Sequence, residues 1–104
     1  MKQIVKGKRY DTETATRVAS DSYSNYGDFQ YCCEEIYCTK KGNWFLYGEG
    51  GAMSKYARGV GQNEVGGGSA IIPLTKSDAL AWLEGHTSSS DIFEKYFSDV
   101  IEEA

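Results

Sequence analysis

Alternation of apolar and polar positions is the clearest pattern in the chain, and it predicts several short strands. Residues 29–39 alternate so that Tyr31 and Tyr37 share one face of a strand, while Glu34 lies on the other. The apolar run 44–47 is the expected return strand, because the four residues between the two segments are typical of a hairpin turn. Two further apolar runs predict strands at residues 3–5 and 69–74.

A first helix is predicted near the N-terminus from apolar residues at helical spacing. Ala15, Val18 and Ala19 form a narrow apolar stripe, and Asp11 is placed to cap the free backbone N–H groups ahead of it. The expected helix is about two to three turns long. A loop rich in Ser, Asn, Asp and Gly follows it at residues 21–28.

Two helices are predicted at the C-terminal end of the chain. The residues from Thr75 onward fit a capping box followed by an apolar stripe, and Gly85 is expected to end that helix. In residues 91–103 the apolar side chains recur with a strong helical period, and the polar positions between them are mainly acidic. The last segment is therefore predicted to be an acidic amphipathic helix.

Residues 48–68 hold eight of the twelve glycines and interrupt this regular pattern. Residues 52–58, in the middle of this segment, can form one or two helical turns, and the rest is predicted to lack regular structure. Three interpretations stay open for the segment: a phosphate cradle, a tight turn that lets backbones pack closely, and a loop that becomes ordered on a partner. The full dinucleotide and Walker A motifs are both absent.

The predicted elements follow the order β-α-β-β-(α)-β-α-α, which indicates an α+β fold. We expect an antiparallel sheet of three to four strands with helices packed on one face. A length of 104 residues allows one domain over residues 1–104. Within it, residues 87–104 hold the predicted acidic amphipathic helix.

The charge of the chain is acidic overall and unevenly distributed. Fifteen acidic residues oppose eleven basic ones, for a net charge of −4, and residues 77–104 alone carry seven acids against one lysine, a balance of −6. The first ten residues instead hold four basic residues and no acid. Net acidity makes direct nucleic-acid binding unfavourable, since such binding needs a basic surface, and it favours contact with a basic protein.

The sequence predicts a cytoplasmic protein without a membrane segment. No stretch approaches the ~18 apolar residues of a membrane span, and the N-terminal residues lack the hydrophobic region of a signal peptide. Three cysteines, two of them adjacent, cannot pair completely, which is typical of a reducing compartment.

Residue types that carry catalysis or bind metals are sparse. Cys32 and Cys38 would share a face of the predicted strand at a distance of about 20 Å, too far apart for one metal ion. Glu34 and Glu35 point to opposite faces, so they do not form a carboxylate pair. A Cys–His nucleophile pair with His86, the single histidine, stays open as an alternative. We therefore expect no metal, no cofactor and no enzymatic activity.

Three stretches of the sequence carry a resemblance to a known family. They are the run KGKRYDTETA at residues 6–15, the run WFLYGEGGAMSKY at residues 44–56, and IIPL at residues 71–74 followed by Ala79, Trp82 and Leu83. Over residues 2–86 the chain resembles small proteins carried by phages and mobile elements of Firmicutes, some of which resemble type II anti-CRISPR proteins, the inhibitors of Cas9. The resemblance ends before residues 87–104, which implies that the acidic C-terminal helix is an added element. It also implies action inside a bacterial host cell, and it brings no catalytic residues with it.

The resemblance implies a stoichiometric inhibitor that binds a Cas9-type effector nuclease, or its ribonucleoprotein, and blocks guide RNA or target DNA. An acidic protein with tyrosine anchors is compatible with the basic channel of such a nuclease. The acidic C-terminal helix would supply the electrostatic attraction, and the hairpin with residues 48–68 would supply contact area. The candidate partner-binding residues are Tyr31, Glu34, Tyr37, Glu49, Lys55, Tyr56, Asp99, Glu102 and Glu103.

A different class of function stays open as the alternative: a small DNA-binding regulator of a mobile element that acts as a dimer. Its affinity for duplex DNA would fall steeply with salt. The clustered tyrosines are compatible with core packing, with a partner surface and with a single-strand platform. The basic residues that would contact phosphates are Lys2, Lys6, Lys8, Arg9 and Arg17.

Overall fold

The fold is given by a computed structural model that describes residues 1–23, 31–51, 58–61, 64–66, 68–86 and 89–102. These residues form eight strands followed by two helices, and each strand pair is antiparallel. The predicted α+β class with antiparallel sheet is thereby confirmed. The strands are β1 (Lys2–Val5), β2 (Lys8–Asp11), β3 (Thr16–Tyr23), β4 (Cys32–Cys38), β5 (Trp44–Gly50), β6 (Arg58–Gly61), β7 (Glu64–Gly66) and β8 (Gly68–Leu74), and the helices are α1 (Lys76–His86) and α2 (Ser90–Phe97).

Four strands form a central sheet in the order β3-β4-β5-β8, while β1 pairs with β2 and β6 pairs with β7. In the central sheet Ile36 is opposite Leu46, and Tyr37 is opposite Phe45. Because successive residues of a strand point to opposite faces, Ile36 and Leu46 lie on one face and Tyr37 and Phe45 lie on the other. Pro73 lies in the edge strand β8, the kind of position that tolerates a proline.

The predicted hairpin between β4 and β5 is confirmed. The N–H of Thr39 donates to the carbonyl of Asn43 at 2.8 Å, and the N–H of Gly42 donates to the carbonyl of Thr39 at 2.9 Å. Gly42 has a φ of 86°, in the left-handed region that favours glycine. Lys40, Lys41 and Gly42 thus form a three-residue loop, whose length fixes the register of the two strands.

The helix predicted near the N-terminus is wrong, because that segment forms a turn and the edge strand β3. The register of β3 against β4 shifts between Arg17 and Ala19, which marks a β-bulge. The bulge lets Val18 and Ala19, adjacent in sequence, both pack against the core. Two adjacent, partly buried residues produce the spacing that resembles a helical stripe. Asp11 caps the turn instead, since its carboxylate accepts a hydrogen bond from the N–H of Glu13 at 2.9 Å.

The glycine-rich segment contains more regular structure than its composition suggests. β5 continues to Gly50, β8 begins at Gly68, and β6 pairs with β7 between them. The predicted lack of regular structure is therefore wrong for these parts. The helical turns expected at residues 52–58 lie outside the described residues, apart from Arg58, which begins β6. The predicted element order is also wrong, because β3 forms in place of the first predicted helix and every described strand precedes the first described helix.

The start of α1 follows the predicted capping box. The side-chain oxygen of Thr75 accepts a hydrogen bond from the N–H of Asp78 at 3.0 Å, which satisfies one of the free donors of the first turn. The helix continues through Gly85 to His86, so the glycine does not end it.

The final helix α2 is shorter than predicted. It ends at Phe97, and the prediction that the helix extends to residue 103 is wrong for the described residues after that point. The N–H groups of Val100 and Ile101 both donate to the carbonyl of Phe97, at 2.9 and 3.1 Å. The side chains of Val100 and Ile101 are each 47% exposed, so the helix ends where its contact with the core ends.

The core on one face of the central sheet includes residues of both helices. Ile36, Trp44 and Leu46 are buried there with Leu83 of α1 and Phe97 of α2. The rings of Trp44 and Phe97 stack with centroids 5.1 Å apart and 24° between their planes. Burial of this apolar surface is the main force that holds the two helices against the strands.

A second buried cluster on the opposite face includes the β1–β2 hairpin. Tyr10 of β2 packs edge-on against Phe45 with ring centroids 5.5 Å apart, and Tyr37 stacks on the same ring at 5.1 Å. Ile71 of β8 is also buried in this cluster. The aromatic rings therefore fix the position of the hairpin on the central sheet.

Candidate protein-binding surface

A group of polar side chains continues the face of the sheet on which Phe45 is buried. Glu35 of β4 is opposite Tyr47 of β5, and Cys33 is opposite Glu49. These four side chains are partly exposed and line a depression of about 90 Å³. The group is named the carboxylate strip. It contains two acidic groups on one rigid sheet surface.

Both oxygens of the Glu35 carboxylate are held by neighbouring side chains. The hydroxyl of Tyr37 donates to Oε1 at 3.0 Å, and Nη1 of Arg17 donates to Oε2 at 2.9 Å. At the other end of the strip, the hydroxyl of Tyr47 donates to Oε2 of Glu49 at 3.1 Å. Hydrogen bonds to charged acceptors are short and directional, so the strip presents its carboxylates in a fixed orientation.

The electrostatics of the strip keep its hydrogen-bond donors in place at neutral pH. Burial, together with the hydrogen bond to Glu35, raises the pKa of Tyr37 to about 12. Burial also raises the pKa of Tyr47, and the hydrogen bond to Glu49 acts in the same direction. The hydrogen bond with Glu35 raises the pKa of Arg17. The tyrosine hydroxyls therefore remain protonated donors, and Arg17 remains a cation.

Alkaline titration is expected to destabilise the protein through Tyr37. The pKa of Tyr37 is about 12 in the folded protein against an ordinary value of 10.0. Its neutral form therefore contributes stability that is complete below about pH 10 and is lost as the pH rises to about 12. Tyr37→Phe keeps the stacked ring but removes the hydroxyl, so we expect it to cost about 0.5–1.5 kcal/mol at pH 7.

Urea denaturation at a series of pH values measures both effects of Tyr37→Phe. The variant should lose less stability than the wild type when the pH is raised from about 10 to 12. Tyr96→Phe is the matched control, because the Tyr96 hydroxyl donates to no other group in the described part of the chain. An identical alkaline loss in Tyr37→Phe and in the wild type would contradict the role assigned to this hydroxyl.

A second polar group lies where α1 ends beside β3 and β4. Nδ1 of His86 and Oδ2 of Asp21 are 2.6 Å apart, and the Trp82 ring stacks on the imidazole at 4.2 Å. The indole N–H of Trp82 donates to Oε1 of Glu34 at 3.5 Å. The hydrogen bond with His86 lowers the pKa of Asp21. Cys32 lines the same depression, of about 200 Å³. These contacts join the helix to the sheet, which is a structural role.

Four of the predicted partner-binding residues lie in or beside the central sheet. Glu49 belongs to the carboxylate strip. Tyr37 is on the same face but only 7% exposed, so it orients a strip carboxylate and offers little contact area itself. Glu34 is 6% exposed on the opposite face, where a partner can reach little of it. Tyr31 is partly buried ahead of β4, and its carbonyl accepts a hydrogen bond from the N–H of Gly51 at 2.8 Å.

The predicted residues near the C-terminus do not form a continuous acidic helix face. Asp99 follows α2, and both its oxygens accept hydrogen bonds from Nζ of Lys76 at 2.8 Å. This pairing lowers the pKa of Asp99 and offsets its charge. Glu102 is exposed beyond the helix. The remaining predicted residues, Lys55, Tyr56 and Glu103, lie outside the described residues.

Three residues of the site are missing from the predicted partner-binding residues: Glu35, Tyr47 and Arg17. Arg17 is predicted only as a phosphate contact of the alternative DNA-binding regulator, and in the structure it pairs with Glu35. Alternation along β5 places Tyr47 and Glu49 on one face, and the loop length fixes their register against Glu35. The sequence therefore contains a usable signal for these residues. Arg17 carries no such signal, because its contact depends on the edge strand β3, which has the spacing of a helix.

The described residues contain no metal-ligand group and no helix that could span a membrane, and the comparisons with known proteins find no match for the chain. Within the described ranges, no three His, Cys, Asp or Glu side chains are placed to hold one metal ion. The three cysteines form no disulfide with one another. Neither described helix is long and apolar enough to cross a membrane. The chain matches no protein-family model, no curated protein and no solved structure.

Proposed function

We propose that the protein is a stoichiometric inhibitor that binds a Cas9-type effector nuclease and blocks its engagement of guide RNA or target DNA. The carboxylate strip is the observation that supports this proposal most directly. It places Glu35 and Glu49 on one sheet face and holds each of them with a tyrosine hydroxyl. In this proposal the protein acts by occupying a surface, without turning over a substrate.

Charge complementarity is the first argument for this function. A guide-dependent nuclease holds its heteroduplex in a positively charged channel. Carboxylates on a chain with a net charge of −4 are attracted to such a channel, and complementary charge raises the association rate. Because carboxylates and phosphates bind the same arginine and lysine groups, a protein seated in the channel excludes the nucleic acid.

Preorganisation of the strip is the second argument. A carboxylate that is already oriented loses less side-chain entropy when it binds a partner. The orientation of Glu35 depends on Tyr37, whose ring is itself fixed by stacking on Phe45. Tyr47 is partly exposed within the strip, and tyrosine offers contact area with few rotatable bonds. The strip therefore combines fixed charge with an aromatic contact.

The C-terminal acidic residues contribute less to this proposal than the strip does. Asp99 and Glu35 each form one ion pair, with Lys76 and Arg17 respectively. The strip also places Glu49 on the same sheet face as Glu35, whereas α2 ends before Glu102. Exposed acids of the helices, such as Glu84 and Glu94, add to the attraction from a distance. Their effect is screened beyond about 8 Å at physiological ionic strength.

Removing the two charges of the strip is expected to weaken inhibition by about 10- to 100-fold. In the double variant Glu35→Gln with Glu49→Gln, the side chains keep their size and can still accept the tyrosine hydrogen bonds. The variant removes both negative charges and, with them, the ion pair of Glu35 with Arg17, because a glutamine amide has one acceptor oxygen and its NH2 group cannot accept from Nη1 of Arg17. The measurement is the protein concentration that halves DNA cleavage by a Cas9-type nuclease at fixed guide and target concentrations.

The matched control is Glu84→Gln with Glu94→Gln, which removes the same charge from exposed positions on the helices. It should change the half-inhibitory concentration by no more than about twofold. Equal weakening in both pairs would mean that net charge, and not the strip, determines binding. Absence of inhibition by the wild-type protein at equimolar and higher ratios would overturn the proposed function.

A further inference from the structure

A basic cleft lies where the β1–β2 turn and the β4–β5 turn approach each other. Its volume is about 380 Å³, and four cationic side chains line it: Lys8, Arg9, Lys40 and Lys41. Two threonines and Asn43 add uncharged polar groups, and no acidic side chain is found among the described residues of its lining. The group of residues that line this depression is the basic cleft.

The backbone on both sides of the cleft has a fixed conformation: Lys8 and Arg9 begin β2 directly after the β1–β2 turn, and Lys40 and Lys41 lie in the β4–β5 turn. In the β1–β2 turn, Lys6 and Gly7 have φ values of 52° and 80°, the conformation of a tight two-residue hairpin turn. In the β4–β5 turn, Gly42 adopts a φ of 86°, and Oγ1 of Thr39 accepts a hydrogen bond from the N–H of Asn43 at 3.0 Å. The cationic side chains therefore project from backbone positions that need no further ordering on binding.

The positive charge of the basic cleft is not neutralised by the part of the chain that the structure describes. The ion pairs there join Arg17, Lys76 and His86 to carboxylates, and none involves a cation of the cleft. Four like charges around one cleft repel each other, and an anion bound between them relieves that repulsion. The cleft has the chemistry of an anion site in a chain whose net charge is −4.

We propose that the basic cleft binds the sugar–phosphate backbone of a nucleic-acid strand without regard to base sequence. Lysine, arginine, threonine hydroxyl and asparagine amide groups all hydrogen-bond to phosphate oxygens in nucleic-acid complexes. A strand carries one negative charge per nucleotide, so neighbouring phosphates can contact the clustered cations together. A protein surface does not repeat its carboxylates at every residue as a nucleic-acid strand repeats its phosphates at every nucleotide, so it matches the clustered cations less well.

The lining of the cleft also explains why recognition is limited to the backbone. Its one aromatic residue in the described lining, Tyr10, is 7% exposed and packs on Phe45, so its ring is not available for stacking with bases. The net charge of −4, which disfavours nucleic-acid binding by the whole chain, combines a basic N-terminal end with an acidic C-terminal end. It therefore does not describe the local charge of the basic cleft. This site goes beyond the proposed inhibitor surface, because the two share no lining residue: the strip lies on the strands β4 and β5, and the cleft lies at their turn and at the β1–β2 hairpin.

The test is fluorescence anisotropy with labelled single-stranded DNA and RNA of about 20 nucleotides, between about 50 and 200 mM salt. Four phosphate contacts give a slope of up to about −2.8 for log affinity against log salt, which is a loss of about 50-fold over this range. Similar affinity for DNA and RNA of different sequences is the expected result. A strong dependence on base sequence, or no binding even at the lowest salt, would overturn the proposal.

Two double variants locate the site. Lys40→Gln with Lys41→Gln should reduce the salt slope by about 1.4 and weaken binding at least about tenfold at low salt. Lys2→Gln with Lys95→Gln removes the same charge from exposed positions outside the cleft and should weaken binding by less than about threefold. Circular dichroism checks that both variants, which replace only exposed side chains, are folded.

Two further outcomes would overturn the proposal. One is an equal loss of affinity in both double variants, since that would indicate a response to net charge alone. The other is displacement of the labelled strand by polyglutamate as effectively as by unlabelled strand at the same concentration of charge, since that would indicate an acidic protein segment as the occupant. Glu35→Gln with Glu49→Gln should leave strand binding intact, which separates this site from the carboxylate strip.

Discussion

Replacing Phe97 with alanine is expected to lower the free energy of unfolding by about 3–5 kcal/mol. Phe97 is fully buried at the end of α2, and its ring stacks on Trp44 with centroids 5.1 Å apart. The ring of Phe93, in the same helix, has its centroid 6.5 Å from the centroid of the Phe97 ring. Alanine would leave a cavity between the helix and the sheet. Since the total stability of a small domain is about 5–15 kcal/mol, the loss is a large fraction of it.

Urea denaturation followed by tryptophan fluorescence measures this loss, because Trp44 lies directly against the substituted ring. Val100→Ala is the matched control, since Val100 follows the same helix and is 47% exposed. The control should change the free energy of unfolding by less than about 0.5 kcal/mol. Equally small effects of the two substitutions would contradict the packing of α2 on the sheet.

The Phe45→Ala variant is expected to have a similar cost, about 3–5 kcal/mol, on the opposite face of the sheet. Phe45 is fully buried and contacts two rings, Tyr10 edge-on at 5.5 Å and Tyr37 in a stack at 5.1 Å. Its removal leaves Tyr37 without the surface that fixes its ring. We therefore expect the hydrogen bond from Tyr37 to Glu35 to loosen and the potency of inhibition to fall in addition to stability.

Thermal unfolding and the inhibition assay together test the Phe45 prediction. Ile4→Ala is the control, because Ile4 belongs to the β1–β2 hairpin and is 66% exposed. It should leave both stability and potency close to the wild-type values. A Phe45→Ala variant with wild-type stability would contradict the second core cluster. A destabilised variant that inhibits with full potency while folded would show that Tyr37 does not orient the strip.

The parts of the fold that depend on local signals are readable from the sequence. The hairpin of β4 and β5 follows from alternating side chains and from a loop that requires a glycine in the left-handed region at Gly42. The start of α1 follows from the Thr75 hydroxyl and its capping bond. β3 is not readable in this way, because its bulge places Val18 and Ala19 on the same side of the strand. Its identity depends on pairing with a strand that follows later in the chain.

The candidate site likewise contains residues that local sequence patterns predict and contacts that depend on distant parts of the chain. Glu49 is accessible to sequence reasoning, because alternation along β5 and a short loop determine its neighbours. The pair of Arg17 and Glu35 and the pair of Asp21 and His86 join residues 18 and 65 positions apart. No local pattern encodes such contacts. The basic cleft likewise combines two turns that are distant in sequence, and the net charge of the chain hides their local concentration of cations.

Complex formation with a Cas9-type nuclease tests the central claim most directly. The purified protein is mixed with the guide-free nuclease and, separately, with the guide-loaded nuclease, and each mixture is separated by size exclusion. If the carboxylate strip occupies the nucleic-acid channel, the wild-type protein should elute with the guide-free nuclease. The Glu35→Gln with Glu49→Gln variant should elute separately from the nuclease at the same concentrations. Failure of the wild-type protein to elute with either form would contradict the proposed function.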